Sequence, residues 1–487
     1  MDKLFNYKLK PMKHQEKAYD LSEDKEYFAY LCDMGTGKTK MFLDDCANLV
    51  TKGKIQACVV IAPKGVYRNW ENVEIPKHFT DDIDKVILTW DSNNRTKNRE
   101  ILLEDFLKPC AMFKFFIINK EALSASKRAV EYLTKFVMSN KCVVTIDEST
   151  CIKHRDSKVT KNIIGLRKHI PYRRIMTGSP ITNSPLDLYS QFDFLGRSLL
   201  GFGSYFAFRS FVAYMQEINM GVRTFKQVVG YNETNLKRVQ ETIKSFSFRV
   251  TKEDCLDLPP KIYYSREIEM GPEQERAYRE MKKLLMVTLP NKDFPVSMVT
   301  TVLTQLMKLH QIACGFIIDQ DGNPIDIPGD NPRMNELMSI LDECDSAIIW
   351  CNYRYNVEQV YRKLCEVYGK DKVAHYYGGT SDEDRAKAVE GFQSGKIRYF
   401  VANPSTAGYG LTLTNTHNVI YYSNGYEIDK RQQSEDRAHR IGQTNSVNYT
   451  DIIMNKSLDS KIIKSLHTKA HLQDVVLKDG WKSLLED

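Results

Sequence analysis

The sequence lacks any apolar run near the roughly 20 residues that a bilayer-spanning helix requires. Its longest stretches, such as 113–118, are short and broken by a charge, here Lys114. A chain threaded through a membrane by helices is therefore excluded. After the opening Met-Asp-Lys there is neither an apolar core nor a small-residue cleavage site, so no secretory signal is read. Gly (25) and Pro (16) are sparse among 487 residues, which removes collagen-like and linker-dominated classes. The 11 cysteines form no Cys-x-x-Cys pair, so a disulfide frame or zinc module is not expected and the thiols read as reduced and mostly buried.

What is present is ordinary globular composition. Hydrophobic residues make up 42% and charged residues 27%. At about 100–200 residues per domain, the length suggests two to four domains. Lys plus Arg exceed Asp plus Glu by 69 to 62, a net charge of +7. That excess permits a polyanionic partner without demanding one.

Short apolar runs alternate with helical patterns at 28–32, 57–62, 86–89, 115–119, 142–146 and 174–177, and again at 347–351, 373–376, 399–402, 418–422 and 447–453. Such alternation predicts α/β units with parallel sheets. Between them the text changes. Aromatics crowd 202–214, helical patterns cover 274–289 and 299–314, and a Gly- and Pro-bearing loop falls at 321–332. The expected plan is a first lobe at 1–198, a helical insertion at 199–332 and a second lobe at 333–487.

Three segments carry chemistry. At 28–39 a strand runs into Gly35-Thr36-Gly37-Lys38-Thr39 and then a helix. The glycines allow a tight turn that aims N–H groups at phosphate oxygens, Lys38 can reach the terminal phosphates, and the Thr39 hydroxyl can ligate Mg²⁺. At 142–148 an apolar strand ends in Asp147 and Glu148. In a nucleotide site one acid holds Mg²⁺ and its neighbour orients and deprotonates the attacking water. Paired acids after a strand also serve as helix caps. In the third segment, Gln433, Arg437 and Arg440 are spaced i, i+4, i+7, which predicts one face of a helix. Two guanidiniums so placed call for an anion, such as a phosphoryl group in its transition state. A solvated helix paired with Glu435 and Asp436 is the other reading.

In order along the chain, these segments resemble the superfamily-2 helicase-type ATPases, and among them the Swi/Snf-type double-stranded DNA translocases. Lys10-Pro-Met-Lys-His-Gln15 resembles the glutamine motif that reads adenine, and Asp33 through Thr39 matches the phosphate loop. Ile61-Ala-Pro-Lys-Gly-Val-Tyr-Arg-Asn-Trp70 is similar to the motif along the DNA-tracking edge, and 176–183 to the third motif. The stretches 405–413 and 433–443 resemble the fifth and sixth motifs, with Arg437-Ala-His-Arg440-Ile-Gly-Gln443 distinctive of this branch over RNA helicases. Two positions depart. Thr150 stands where the family carries a histidine that couples hydrolysis to the second lobe, and Tyr426 where a tryptophan is usual.

The resemblance implies two RecA-like parallel-sheet lobes with inserted helical protrusions and a cleft that uses ATP and Mg²⁺. Lys38, Glu148, Gln433, Arg437 and Arg440 would carry catalysis, the two arginines as fingers from the second lobe. Gln15, Gly35, Thr36, Gly37, Lys38, Thr39 and Gly410 would hold the nucleotide, and Thr39 with Asp147 the metal. Lys64, Trp70, Thr177, Ser405 and Thr406 would face DNA. It implies an ATP-dependent motor on duplex DNA, read independently of sequence. The length, nearly used up by motor, resembles compact bacterial or viral members. A cytoplasmic monomer (nuclear in a eukaryote), targeted by a protein partner, is expected. A strand-separating or RNA-directed helicase, and an ATP-binding clamp with little turnover, stay open as alternatives. The basic stretch 153–174 could follow a phosphate backbone or form a solvated helix face, and the aromatics at 202–214 read as core of the insertion.

Overall fold

Apolar runs without alternation become strands with both faces covered, and the chain uses them twice. The computed structural model describes residues 5–182, 184–219, 224–288, 299–407 and 411–468. It divides into two units, Met1–Leu256 and Asp257–Asp487.

The first unit contains β1 (Tyr27–Cys32), β2 (Ala57–Ala62), β3 (Lys85–Thr89), β4 (Phe113–Asn119), β5 (Cys142–Asp147) and β6 (Tyr172–Met176). A hairpin of β7 (Ala213–Asn219) and β8 (Thr224–Tyr231) follows, then β9 (Ser247–Val250). The seven-stranded sheet has the order β3-β4-β2-β5-β6-β1-β9, and every pairing in it is parallel. β2 and β4 are buried along their whole length. Helices cover them. The helix Lys127–Ser139, for example, buries Ala129, Tyr132, Leu133, Phe136 and Val137, the three- and four-residue spacing of one helical face.

A buried ion pair ties this sheet to the helix Lys38–Thr51 that follows the glycine turn. Arg174 Nε donates to Asp45 Oδ2 at 2.7 Å, and the Tyr30 hydroxyl donates to the same oxygen at 3.2 Å. Arg174 Nη2 also reaches Asp45 Oδ1 at 3.4 Å, and the other guanidinium N–H groups take the carbonyls of Lys25, Glu26 and Arg173. The basic stretch 153–174 is thus partly internal. Arg173 donates to the Leu195 carbonyl and Arg167 pairs with Asp193, while Lys158, Lys161 and Lys168 remain exposed.

In the second unit, β10 (Lys261–Ile268), β13 (Ala347–Trp350), β14 (Val373–Tyr376), β15 (Tyr399–Ala402), β16 (Asn418–Tyr421) and β17 (Val447–Met454) form a six-stranded parallel sheet. Its order is β10-β17-β16-β13-β15-β14. A small hairpin of β11 (Phe316–Ile318) and β12 (Pro324–Asp326) stands apart from it. Arg333 locks the helix Pro332–Asp342 onto the strand ends, donating to the carbonyls of Tyr422 (2.6 Å) and Ile452 (2.7 Å) and pairing with Asp459. His310, also buried, joins them. Its Nε2 lies 3.4 Å from Asp459 Oδ1, and its Nδ1 is 2.8 Å from the Tyr353 hydroxyl. Burial opposes a charged ring, but Cys314 and Asp459 outweigh it and push His310 up to about 10. Against the same burial, Arg333 and His310 hold Asp459 well below the usual carboxylate range.

All strands read from the sequence in the two flanking regions are present. The region 199–332 holds the expected helices Pro272–Thr288 and Val299–Ala313, but also six strands, β7 to β12, that the sequence reads as helix or loop. β10 shows why. It is an edge strand exposed from Ile262 to Glu267, so no apolar alternation marks it. β9 and β10 belong to the two main sheets. Among the described residues no helix is long and apolar enough to cross a membrane.

Arg174→Ala strands Asp45 as an unpaired buried carboxylate and should cost about 3–5 kcal/mol in urea unfolding. A loss below about 1 kcal/mol would contradict the pairing. His310, whose folded-state pKa is raised, contributes stability that is fully present below about pH 6.5 and is lost as pH rises through about 10. That loss should amount to about 2–5 kcal/mol. His310→Gln should flatten the dependence, as read by denaturation across that window.

Candidate active site

The end of β1 turns sharply because Gly35 and Gly37 take φ of 84° and 88°, a region closed to most side chains. Gly37 is the N-cap of helix Lys38–Thr51 and makes no side-chain cap, and backbone N–H groups at such a helix start suit an anion. Lys38 Nζ lies over the same loop, donating to the carbonyls of Cys32 (2.7 Å) and Asp33 (3.2 Å). Thr36 Oγ1 braces the turn on the Asp33 carbonyl at 2.8 Å.

Gln15 sits against this loop. Its Oε1 accepts the Met12 N–H at 2.9 Å, and its Nε2 donates to the Thr36 carbonyl at 3.3 Å. His14 Nε2 reaches that carbonyl at 2.8 Å. His14 is a loop contact the sequence reading passed over, although it adjoins Gln15 in the same motif. A Cβ on Gly37 would stand 2.2 Å from Gln15 Nε2.

The acid pair is two strands away. Met176 of β6 is in register with Tyr30 of β1 on one side and with Asp147 of β5 on the other, so the glycine loop, Thr177 and the acids leave neighbouring strand ends together. Glu148 adopts φ 52°, uncommon for a side-chain-bearing residue, which turns the chain immediately after β5. Ser149 then anchors the turn by donating to Gln191 Oε1 at 2.7 Å. Burial pushes the Asp147 carboxyl up to about 7, and neighbouring Glu148 adds to the rise. The Trp70 N–H and Lys38 act in the opposite direction.

Two residues expected to face DNA lie inside. Trp70 is 2% exposed, and its indole Nε1 donates to Asp147 Oδ2 at 3.1 Å. Thr177 is buried too, its N–H on the Tyr30 carbonyl and its hydroxyl accepting the Ser179 N–H. The reason is register: both follow central strands whose ends are packed around the acid pair and the glycine loop. Lys64 does have an exposed side chain, its backbone N–H held by Glu121.

In the second unit, Ser405 and Thr406 sit on the short helix Pro404–Ala407 after β15, with Ser405 exposed and its N–H on Asn403 Oδ1 at 2.9 Å. Gly410 lies outside the described residues. The arginine segment departs from the sequence expectation. Helix Ile428–Glu435 ends before Arg437, so Gln433, Arg437 and Arg440 do not share a helical face. The backbone explains it. The Arg437 carbonyl is taken by the Leu413 N–H, and the Gln443 amide holds the carbonyls of Thr414, Thr416 and Ala438, which ties 436–443 to 411–416 as turns. The guanidiniums still converge. Arg437 Nη1 and Arg440 Nη1 donate to one carbonyl, that of Leu411, at 3.1 and 2.9 Å. Arg437 Nε also takes the Gln433 carbonyl at 3.0 Å.

The SNF2-related domain matches residues 25–316, and the helicase conserved C-terminal domain matches residues 332–442. The chain belongs to the SNF2-related family. It is similar to the uncharacterized ATP-dependent helicase MG018 of Mycoplasma genitalium, 24% identical over 96% of this chain and 41% of that protein. It is also similar to the SWI/SNF chromatin-remodeling complex subunit snf22 of Schizosaccharomyces pombe, 24% identical over 92% of this chain and 26% of that one. The chain thus spans less than half the length of either relative. Among solved structures, the Sulfolobus solfataricus SWI2/SNF2 ATPase core in complex with dsDNA is 24% identical, with 99% of this chain and 96% of that chain covered and a TM-score of 0.42.

The close approach at Gly37 is testable without any ligand. Gly37→Ala should cost about 1–2 kcal/mol for the left-handed backbone alone, with a further loss from the clash. Adding Gln15→Ala should recover the clash and leave the backbone cost, as measured by chemical denaturation. Full recovery in the double variant would contradict the left-handed turn.

Proposed function

We propose that the chain hydrolyses ATP and uses the energy to move along duplex DNA, remodelling DNA or the proteins bound to it. The observation that carries this reading is the shared register of β5, β6 and β1, which brings Lys38 and its loop to the same sheet edge as Asp147 and Glu148. Membership of the SNF2-related family supports it, as do the names of the relatives, an ATP-dependent helicase and a chromatin-remodeling subunit.

In this reading the loop N–H groups from Gly35 to Thr39 bind the phosphates, with Lys38 offsetting their charge and Gln15 on the base. Glu148 orients the attacking water and accepts its proton. Arg437 and Arg440, with Gln433 beside them, stabilise charge that develops on the transferred phosphoryl group. The residues fit Mg²⁺. Thr39 and Asp147 offer hard oxygen donors, and a carboxyl pushed up to about 7 is one that a divalent cation readily ionises. When bound, Mg²⁺ supplies charge neutralisation on the phosphates. Lys64, Ser405 and Thr406 contact the DNA backbone, and phosphate contacts make tracking independent of sequence.

ATP turnover tests this with no nucleic acid, duplex DNA, single-stranded DNA or RNA. Duplex DNA should stimulate most, and Lys38→Ala or Glu148→Gln should each lower turnover by about 10²–10³-fold. Unchanged hydrolysis in both variants would overturn the site. Preference for RNA would overturn the substrate, and tight ATP binding without turnover would favour a clamp.

A further inference from the structure

Trp70 is where placement departs furthest from motif. β2 and β5 are neighbours in register, Ile61 beside Ile146, so the segment leaving β2 passes the end of β5. It runs through a helical turn Tyr67–Asn69, a π-helical turn Trp70–Glu74 and a further turn Ile75–His78. Pro76, which brings no N–H to the ladder, accounts for the irregularity, and such wide turns reset which side chains face inward. The indole faces inward. Phe42, from the helix that follows the glycine loop, meets it edge-on at 6.1 Å. Its Nε1, a donor and never an acceptor, is 3.1 Å from Asp147 Oδ2.

A carboxylate can present either oxygen by rotating its last torsion. The indole bond restrains that torsion: Oδ2 turns toward Trp70, which favours Oδ1 for a cation. Building on the nucleotide-site reading above, we propose that Trp70 is a positioning residue for the metal-binding carboxylate, holding Asp147 so that one oxygen is presented to Mg²⁺ and nucleotide. Packing alone does not require a nitrogen at this place, since Phe would fill most of the same volume. Partners that orient a ligating carboxylate are typically worth about 10–100-fold in metal affinity.

The test is Trp70→Phe, with the Mg²⁺ concentration for half-maximal ADP binding as its readout. That midpoint should rise about 10–100-fold, while ADP affinity in EDTA stays unchanged. In turnover, kcat should fall at limiting Mg²⁺ and recover at saturating Mg²⁺. Phe42→Leu, which loosens the packing but keeps the N–H, should shift the midpoint less than about two-fold. Equal shifts in the two variants, or no shift in Trp70→Phe, would overturn the proposal. The wild-type chain gives an independent measurement if Trp70→Phe does not fold. Of its 4 tryptophan indole N–H resonances, that of Trp70 should move when Mg²⁺ is added to the ADP-bound protein, and should not move in Asp147→Asn. An unmoved Trp70 resonance in the wild type would overturn it too. If Asp147→Asn leaves the Mg²⁺ midpoint unchanged, the nucleotide-site reading itself fails, whatever Trp70 does.

Discussion

Parallel pairing of β6 with β1 on one side and β5 on the other is the constraint on which the first unit's chemistry depends. Parallel strands must all end at the same edge, so a loop after β1 and acids after β5 become neighbours without being close in sequence. The Arg174–Asp45 pair extends that constraint to the helix behind the glycine turn. It lies in the sheet's interior, where an unpaired charge would be costly, and it fixes the helix that starts at Lys38. Trp70 reaches the acids by the same logic, because β2 is the next strand along.

The arginines of the second unit take both carbonyls and carboxylates as partners. Arg437 and Arg440 both donate to Leu411, and Gln443 ties their turn to the segment that supplies that carbonyl. Elsewhere in the unit Arg333 pairs with Asp459, and Arg431 with Asp451 and Glu435. These buried pairs brace the unit from within.

Much of this was legible in the sequence because it is locally encoded. Buried parallel strands read as unbroken apolar runs, and Gly35 through Thr39 and Asp147-Glu148 mark, by residue type and order, a glycine turn and paired acids at strand ends. What could not be read depends on partners far along the chain. The spacing of Arg437 and Arg440 suits a helix, yet hydrogen bonds to 411–416 stop the helix at Glu435. Trp70 and Lys64 belong to one motif, but only the fold shows that one lies inside and the other outside. β10 shows no apolar alternation because it is an exposed edge. Thr150, where a histidine is usual, stays in a short turn after Glu148, and nothing in the structure explains that substitution.

Displacement of a third strand from a triplex reads the proposed movement along duplex DNA, as hydrolysis alone does not. The wild-type chain should release the third strand only with ATP and Mg²⁺, at a delay that lengthens with the duplex between entry and triplex, while Glu148→Gln releases none. Hydrolysis stimulated by duplex DNA with no ATP-dependent release would mean that the chain does not move along DNA.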